Sequence, residues 1–180
     1  MKTYLTVNTV IYDSETELLG RILDAAAEAG ISAIIASDIA AIRAARRRGL
    51  EVHISTQVNI TNLEAVEFYS QWADTMVLAR ELNLDQVRAI SDGIAARDIR
   101  GPHGRRVALE MFCHGALCMA VSGKCYLSLH EMNSSANRGA CTQICRRGYT
   151  VTDRETGDSL DIENQYIICL LYTSPSPRDV

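Results

Sequence analysis

No run of apolar residues in this chain approaches the ~20 that a bilayer-spanning helix requires, so nothing in it reads as a membrane span. The first residues, MKTYLTVNTVIYDSE, alternate polar and apolar side chains. They contain neither an apolar h-region nor a small-residue cleavage site, which argues against a signal peptide. Positive charge is not in excess either: 18 Lys+Arg face 22 Asp+Glu, a formal net charge of −4. Global attraction to nucleic acid or to anionic lipid is therefore not expected, and a polyanion would have to meet a local basic patch. Three signatures of chemistry are missing. No Gly-x-Gly-x-x-Gly follows a strand, which removes support for dinucleotide binding. No Gly-x-Ser-x-Gly elbow occurs. LHEMN (129–133) lacks a second histidine four residues after His130, so it is not a zincin helix.

What is present is the composition of a globular protein, 47% hydrophobic and 22% charged, long enough to bury one core. Six cysteines without a secretory signal point to metal binding or thiol chemistry in a cytoplasmic protein rather than to disulfides.

TYLTVNT (3–9) alternates and is β-branched, which predicts a strand. SETELLGRILDAAAEAG opens with a capping box, Ser14 with Glu17, and places Leu18, Leu19, Ile22, Leu23 and Ala26 on one helical face before Gly30. SAIIAS (32–37) is an apolar strand. Asp38 then caps a helix that ends in arginines and Gly49. EVHIST (51–56) predicts a strand, and a helix starts at Asn62. DTMVLA (74–79) is another strand. Asn83 caps a helix with a Leu84, Val87, Ile90, Ile94 stripe, and RRVALEMF (105–112) is the last clear strand. Five strands alternating with four helices are the mark of parallel βαβ units. A doubly wound sheet and a (β/α)₈ barrel both fit. Without a glycine-rich fingerprint the balance falls to an α/β fold of the partial TIM-type (β/α) barrel kind, with about five parallel strands. The expected domains are the partial barrel at 1–112 and a Cys-rich metal-binding segment at 113–168. The Pro- and Ser-rich tail 169–180 resembles a translated sequencing adaptor and is set aside as non-native.

Chemistry in such folds collects at the carboxyl ends of the strands. Those positions hold Asn8, Ser37 and Asp38, Thr56 and Gln57, Arg80 and Glu81, then Glu110 and His114. Helix capping and loop placement account for most of them as readily, and for Asp38 equally so. Glu110 interrupts an apolar strand, where a carboxylate is costly unless paired or functional; Arg80 is the expected partner. Downstream, Cys118, Cys125, Cys141 and Cys145 are separated by six, fifteen and three residues. Four thiolates from one segment can close a tetrahedral zinc site or hold an iron–sulfur cluster, and this spacing selects neither. Gly115, Gly123 and Gly139 would let the backbone wrap closely. Cys113 is expected to be a buried small hydrophobe. Lys124, Arg138, Arg146 and Arg147 form a local cationic rim suited to phosphate, or else a solvated surface.

EMFCHGALCMAVSGKCYLS (110–128) resembles, end to end, the signature of the collagenase-like peptidase family, unassigned peptidase family thirty-two. The matching positions are Glu110, Phe112, Gly115, Ala116, Leu117, Cys118, Gly123, Cys125, Leu127 and Ser128. The resemblance extends over residues 1–168 and implies a TIM-type barrel of which this chain is an internal fragment, with exposed sheet edges and poor solubility in isolation. It also implies a divided function. The family is named for collagen degradation, yet better-understood members are iron–sulfur proteins of oxygen-independent hydroxylation. They act on ribosomal RNA, a tRNA wobble uridine or a ubiquinone precursor, with prephenate as hydroxyl source. By that resemblance Cys118, Cys125 and Cys141 are ligands of a 4Fe–4S cluster, with Cys145 as the fourth or else a ligand further along the family's chain. Glu110 and His114 act as acid/base or positioning groups. Asn8, Gln57, Arg80, Glu81, Arg138, Arg146 and Arg147 meet the substrate. RNA and iron–sulfur assembly or redox proteins are the implied partners. The alternatives are a peptidase and a binding module built on structural zinc.

Overall fold

A computed structural model describes residues 1–114 and 118–162. It divides into two compact units, Met1–Phe112 and Cys113–Val180. In the first unit, β1 (Tyr4–Val7), β2 (Ala33–Ala36), β3 (Val52–Ile54), β4 (Thr75–Val77) and β5 (Ala108–Glu110) form one sheet in the order β1-β2-β3-β4-β5. Every neighbouring pair is parallel. The crossovers are α1 (Thr16–Glu28), α2 (Ile39–Arg47), α3 (Leu63–Ser70) and α4 (Leu84–Arg97). The unit is therefore α/β and all-parallel, and its arrangement is compatible with a partial barrel. Strand order never reverses, so there is no switch point of the doubly wound kind. Right-handed crossovers that always step in one direction place every helix on the same face of the sheet.

Burial bears this out by parity. Ile34, Ala36, Val52, Ile54, Met76, Leu78 and Val107 join Leu19, Leu23, Ile42, Val66, Ile90 and Ile94 in one core. The intervening strand residues, Thr6, Ile35, His53, Thr75 and Glu110, lie outside that cluster and so occupy the helix-free face.

The helix starts follow from side-chain caps. Asp38 accepts from the Ala40 N–H, Asn62 from Ala65, and Asn83 from Gln86, whose own side chain accepts from the Asn83 N–H. The helix α1 begins differently from expectation. A 3₁₀ turn at Asp13–Glu15 precedes it, and the Tyr12 N–H donates to the Glu15 carboxylate at 2.9 Å, so the Ser14–Glu17 box is not formed. Its stripe is also narrower: Leu19, Leu23 and Ala26 are buried, while Leu18 and Ile22 are exposed. The cause is position, since α1 lies beside the edge strand β1 and has α2 as its main helical neighbour. Leu84, the first residue of α4, is likewise exposed rather than part of its stripe. The strands are shorter than their sequence patterns, and β5 stops at Glu110.

The second unit contains α5 (Leu127–Met132), two 3₁₀ turns at Ala136–Arg138 and Ile144–Arg146, and an antiparallel hairpin of β6 (Tyr149–Thr152) with β7 (Ser159–Ile162). No described helix is long and apolar enough to cross a membrane.

Candidate functional site

The first three strands end in a hydrogen-bonded ring. Asn8, just past β1, donates through Nδ2 to Ser55 Oγ at 3.5 Å, and its carbonyl accepts from Ser37 Oγ at 2.8 Å. Ser37 Oγ also reaches Gln57 Oε1 at 3.2 Å. Asp38 accepts from the Ile11 N–H besides capping α2, and Thr56 Oγ1 donates to the Leu78 carbonyl. Asn8, Ser37, Ser55 and Gln57 are thus one polar network drawn from three strand ends. Arg80 is half-buried beyond β4, and Glu81 is exposed.

Glu110 closes β5 and is 47% exposed in its side chain. The partner seen for its carboxylate is His53 of β3, whose Nδ1 stands 3.2 Å from Oε1. Sequence reasoning had chosen Arg80. One strand, β4, lies between the two residues, but His53, Thr75 and Ala108 share a row, and Glu110 lies two residues along the same face. The His53 ring is only 7% exposed, stacks obliquely on Tyr4, and offers Nε2 to Glu51 at 3.7 Å. Glu51 in turn pairs with Arg105 at 2.9 Å, and Arg105 lies 3.8 Å from Asp74. The buried Asp74 carboxylate also holds His103 through Nδ1 and the backbone N–H. A chain of ionisable side chains therefore runs from Glu110 to the amino end of the sheet. Gly101 makes its last link feasible, because a Cβ there would meet Asp74 Oδ1 at 2.5 Å and Asp74 Cα at 2.7 Å.

In the second unit the cysteines sit on a scaffold of small polar side chains. Ser128, buried in α5, accepts from the Thr142 N–H at 3.2 Å and from its hydroxyl at 3.1 Å, and lies 4.0 Å from Cys141 Sγ. Asn137 accepts from the Cys125 N–H at 3.2 Å. Gly123 and Gly139 adopt positive φ of 69° and 86°, conformations that favour glycine, between the cysteines. Burial pushes the Cys145 thiol above its ordinary range. Cys118, Cys141 and Cys125 push the same way, while Arg146 pulls it down. Cys145 therefore senses the other three thiols. Among the described residues, no three His, Cys, Asp or Glu side chains are drawn tightly enough to grip one metal ion. None of the described cysteines forms a disulfide. Cys113 is exposed rather than buried, because β5 ends three residues before it.

His114 is exposed and belongs to the second unit, whereas Glu110 belongs to the first. Arg138 is half-buried; Lys124, Arg146 and Arg147 are exposed. Gly115 and residues 169–180, the tail set aside above, fall outside the described residues. Sequence reasoning passed over His53, Ser55, Asn137 and Thr142. For His53 the signal was available: a polar residue inside the apolar EVHIST meets the same criterion that singled out Glu110.

The model for "Peptidase family U32" matches residues 1–176. A "Collagenase" of Porphyromonas gingivalis strain W83 is 63% identical over 180 residues, covering 100% of this chain and 42% of the relative. The "23S rRNA 5-hydroxycytidine C2501 synthase" of Escherichia coli is 40% identical over 153 residues, covering 84% of this chain and 22% of the relative. The "tRNA hydroxylation protein P" of the same organism is 33% identical over 168 residues, 92% of this chain and 35% of the relative. The chain thus spans less than half the length of these relatives. No solved structure matches it significantly.

Proposed function

The chain belongs to peptidase family U32, and from that premise we propose that it is part of an iron–sulfur-dependent enzyme that hydroxylates an RNA base without dioxygen, prephenate supplying the hydroxyl. The observation that carries this reading is that Cys118, Cys125, Cys141 and Cys145 fall in one small unit, where Asn137 holds the Cys125 N–H and Ser128 stands beside Cys141 Sγ. Thiolates that crowd one another resist ionising unless a cation compensates them. The names of the ribosomal and transfer RNA relatives support the acceptor class.

Cys118, Cys125, Cys141 and Cys145 would hold the cluster. Four thiolates from one segment are a donor set that a polynuclear cluster would accept at its corners, and one that a zinc ion would accept as well. Bound there, the cluster would supply the electron exchange that oxygen-independent hydroxylation demands. Ser128 and Asn137 fix the backbone on either side of the donors. Glu110, held by His53 yet open to solvent, would accept or return a proton through its carboxylate. His114 is a second acid/base candidate. Asn8 and Gln57 orient the acceptor, with Glu81, while Arg80 pairs a carboxylate or phosphate. Arg138, Arg146 and Arg147 meet the RNA backbone.

Anaerobic reconstitution of the full-length protein should give iron with acid-labile sulfide and a brown colour, both lost in Cys118→Ala/Cys125→Ala. Mass spectrometry of RNA from cells lacking the protein should show a missing hydroxylated base. A colourless, iron-free preparation rejects the reading, and zinc without sulfide favours a structural-zinc module. A peptidase is the second reading, supported by the high identity to "Collagenase" relatives, 63% and 55%. Gelatin cleavage by rigorously purified protein, surviving every cysteine substitution and chelation, would favour it.

A further inference from the structure

Several arginines of this chain are neutralised by carboxylates. Arg48, Arg88, Arg97, Arg100, Arg105 and Arg106 each face a carboxylate. Arg43 and Arg47 are exposed on α2 and have no ion-pair partner among the described residues. Both line a groove of ≈ 590 Å³ between α1 and α2, whose apolar lining includes Leu19, Ile39 and Ala44. Arg48 shares that groove and is fixed in place by two bonds to Asp24 and one to the Ala44 carbonyl. Gly20 keeps the space open, since a Cβ there would press on Arg48 Nη2 at 3.1 Å.

The groove has a direction. The helices α1 and α2 follow the carboxyl ends of β1 and β2, so one end of the groove opens near the Asn8–Ser37 network and the other runs toward Arg47. A polymer with one unit held at the strand ends must leave along some surface. Four residues of helix rise ~6 Å, on the scale of the step between phosphates in an extended strand. We propose that the α1–α2 groove is a track for the sugar–phosphate backbone of a single RNA strand. Arg43 and Arg47 meet phosphates there, and riboses lie on the apolar floor. This rests on the reading of RNA as the acceptor, and it adds a binding surface distant in sequence from the cationic rim of the second unit.

The test is fluorescence anisotropy of a labelled, unstructured RNA of about 20 nucleotides with the intact protein across a salt series, at a length matched to several phosphate contacts. Arg43→Gln/Arg47→Gln should weaken binding about tenfold near 0.1 M salt and flatten the salt slope by about 1.4, as expected for two lost phosphate contacts to a single strand. Arg43→Lys/Arg47→Lys should restore the slope, and Arg88→Gln should change nothing. Equal affinity in the glutamine variant, no RNA binding by the wild type, or displacement of RNA by a polyglutamate peptide at lower concentration than by unlabelled RNA would each overturn the proposal. Iron content and base hydroxylation test the enzymatic reading separately. An unhydroxylated RNA with intact groove binding leaves the track standing, and the reverse leaves the enzyme standing.

Discussion

The two units of this chain are held together by different means. The first buries a continuous apolar layer between sheet and helices, in which Leu23, Ile34, Ile42, Val52, Ile54, Val66 and Met76 are fully buried. In the second, Ile144 and Ile162 are the buried apolar residues among those described, with Ser122 and Ser128 as buried polar ones. Apolar burial scales with the area removed from water. The first unit is therefore stabilised by its own packing, and the second leans on hydrogen bonds to Ser128 and Asn137 and, on the proposal above, on the cluster held by its thiols. Small units with little core commonly fold only with metal.

The sharpest way to break this contrast is to take away the proposed cluster. Chelation under air, or Cys118→Ser/Cys125→Ser, should raise the rate of proteolysis in residues 118–162 on the order of tenfold or more while leaving residues 1–112 resistant, as read by mass spectrometry of the fragments. Equal protection of both units would mean that the thiols hold nothing. Next in size, Leu23→Ala should cost about 2–5 kcal/mol in urea unfolding of the first unit and leave cleavage of the second unchanged. A smaller effect is expected from Ser128→Ala, which strands the Thr142 N–H and hydroxyl. It should cost about 1–3 kcal/mol locally, visible as faster amide exchange at Thr142 without a change in the first unit.

Acid should separate the units least. Asp24 and Asp98 are held below the usual carboxylate range by side-chain bonds from Arg48 and Arg100, and Asp153 by the N–H groups of Glu155 and Thr156. A carboxylate lowered in the folded state contributes its stability above its unfolded value and loses it as pH falls through the folded one. All three are exposed, so titration below about pH 4 should loosen the Asp153 turn and the α1–α2 pairing slightly and together. Carboxyl chemical shifts would report each, and a single steep transition would contradict the expectation.

The fold was legible because each βα unit carries its own local instructions. Apolar runs mark strands that lie inside the sheet, and Asp38, Asn62 and Asn83 announce helix starts with side chains that bond the first turn of their own helix. The start of α1 was not legible, because Asp13, Ser14 and Glu15 all compete to cap it, and the Tyr12 N–H to Glu15 bond decides the outcome. The partner of Glu110 was hidden for a deeper reason. His53 is 57 residues away in the chain (110 − 53 = 57), and only the register of three strands brings them onto one face within reach of each other. Sequence spacing selected the four cysteines, yet not the serine, threonine and asparagine that brace them, since such residues are common in every loop.

One consequence of the unbroken strand order concerns how the chain comes into being. Each new strand of the first unit settles beside the one made just before it, so no segment emerging from the ribosome waits for a distant partner. Contacts of short sequence separation favour quick, stepwise maturation. The nascent chain can add βα units like successive courses of brickwork, each resting on a finished row.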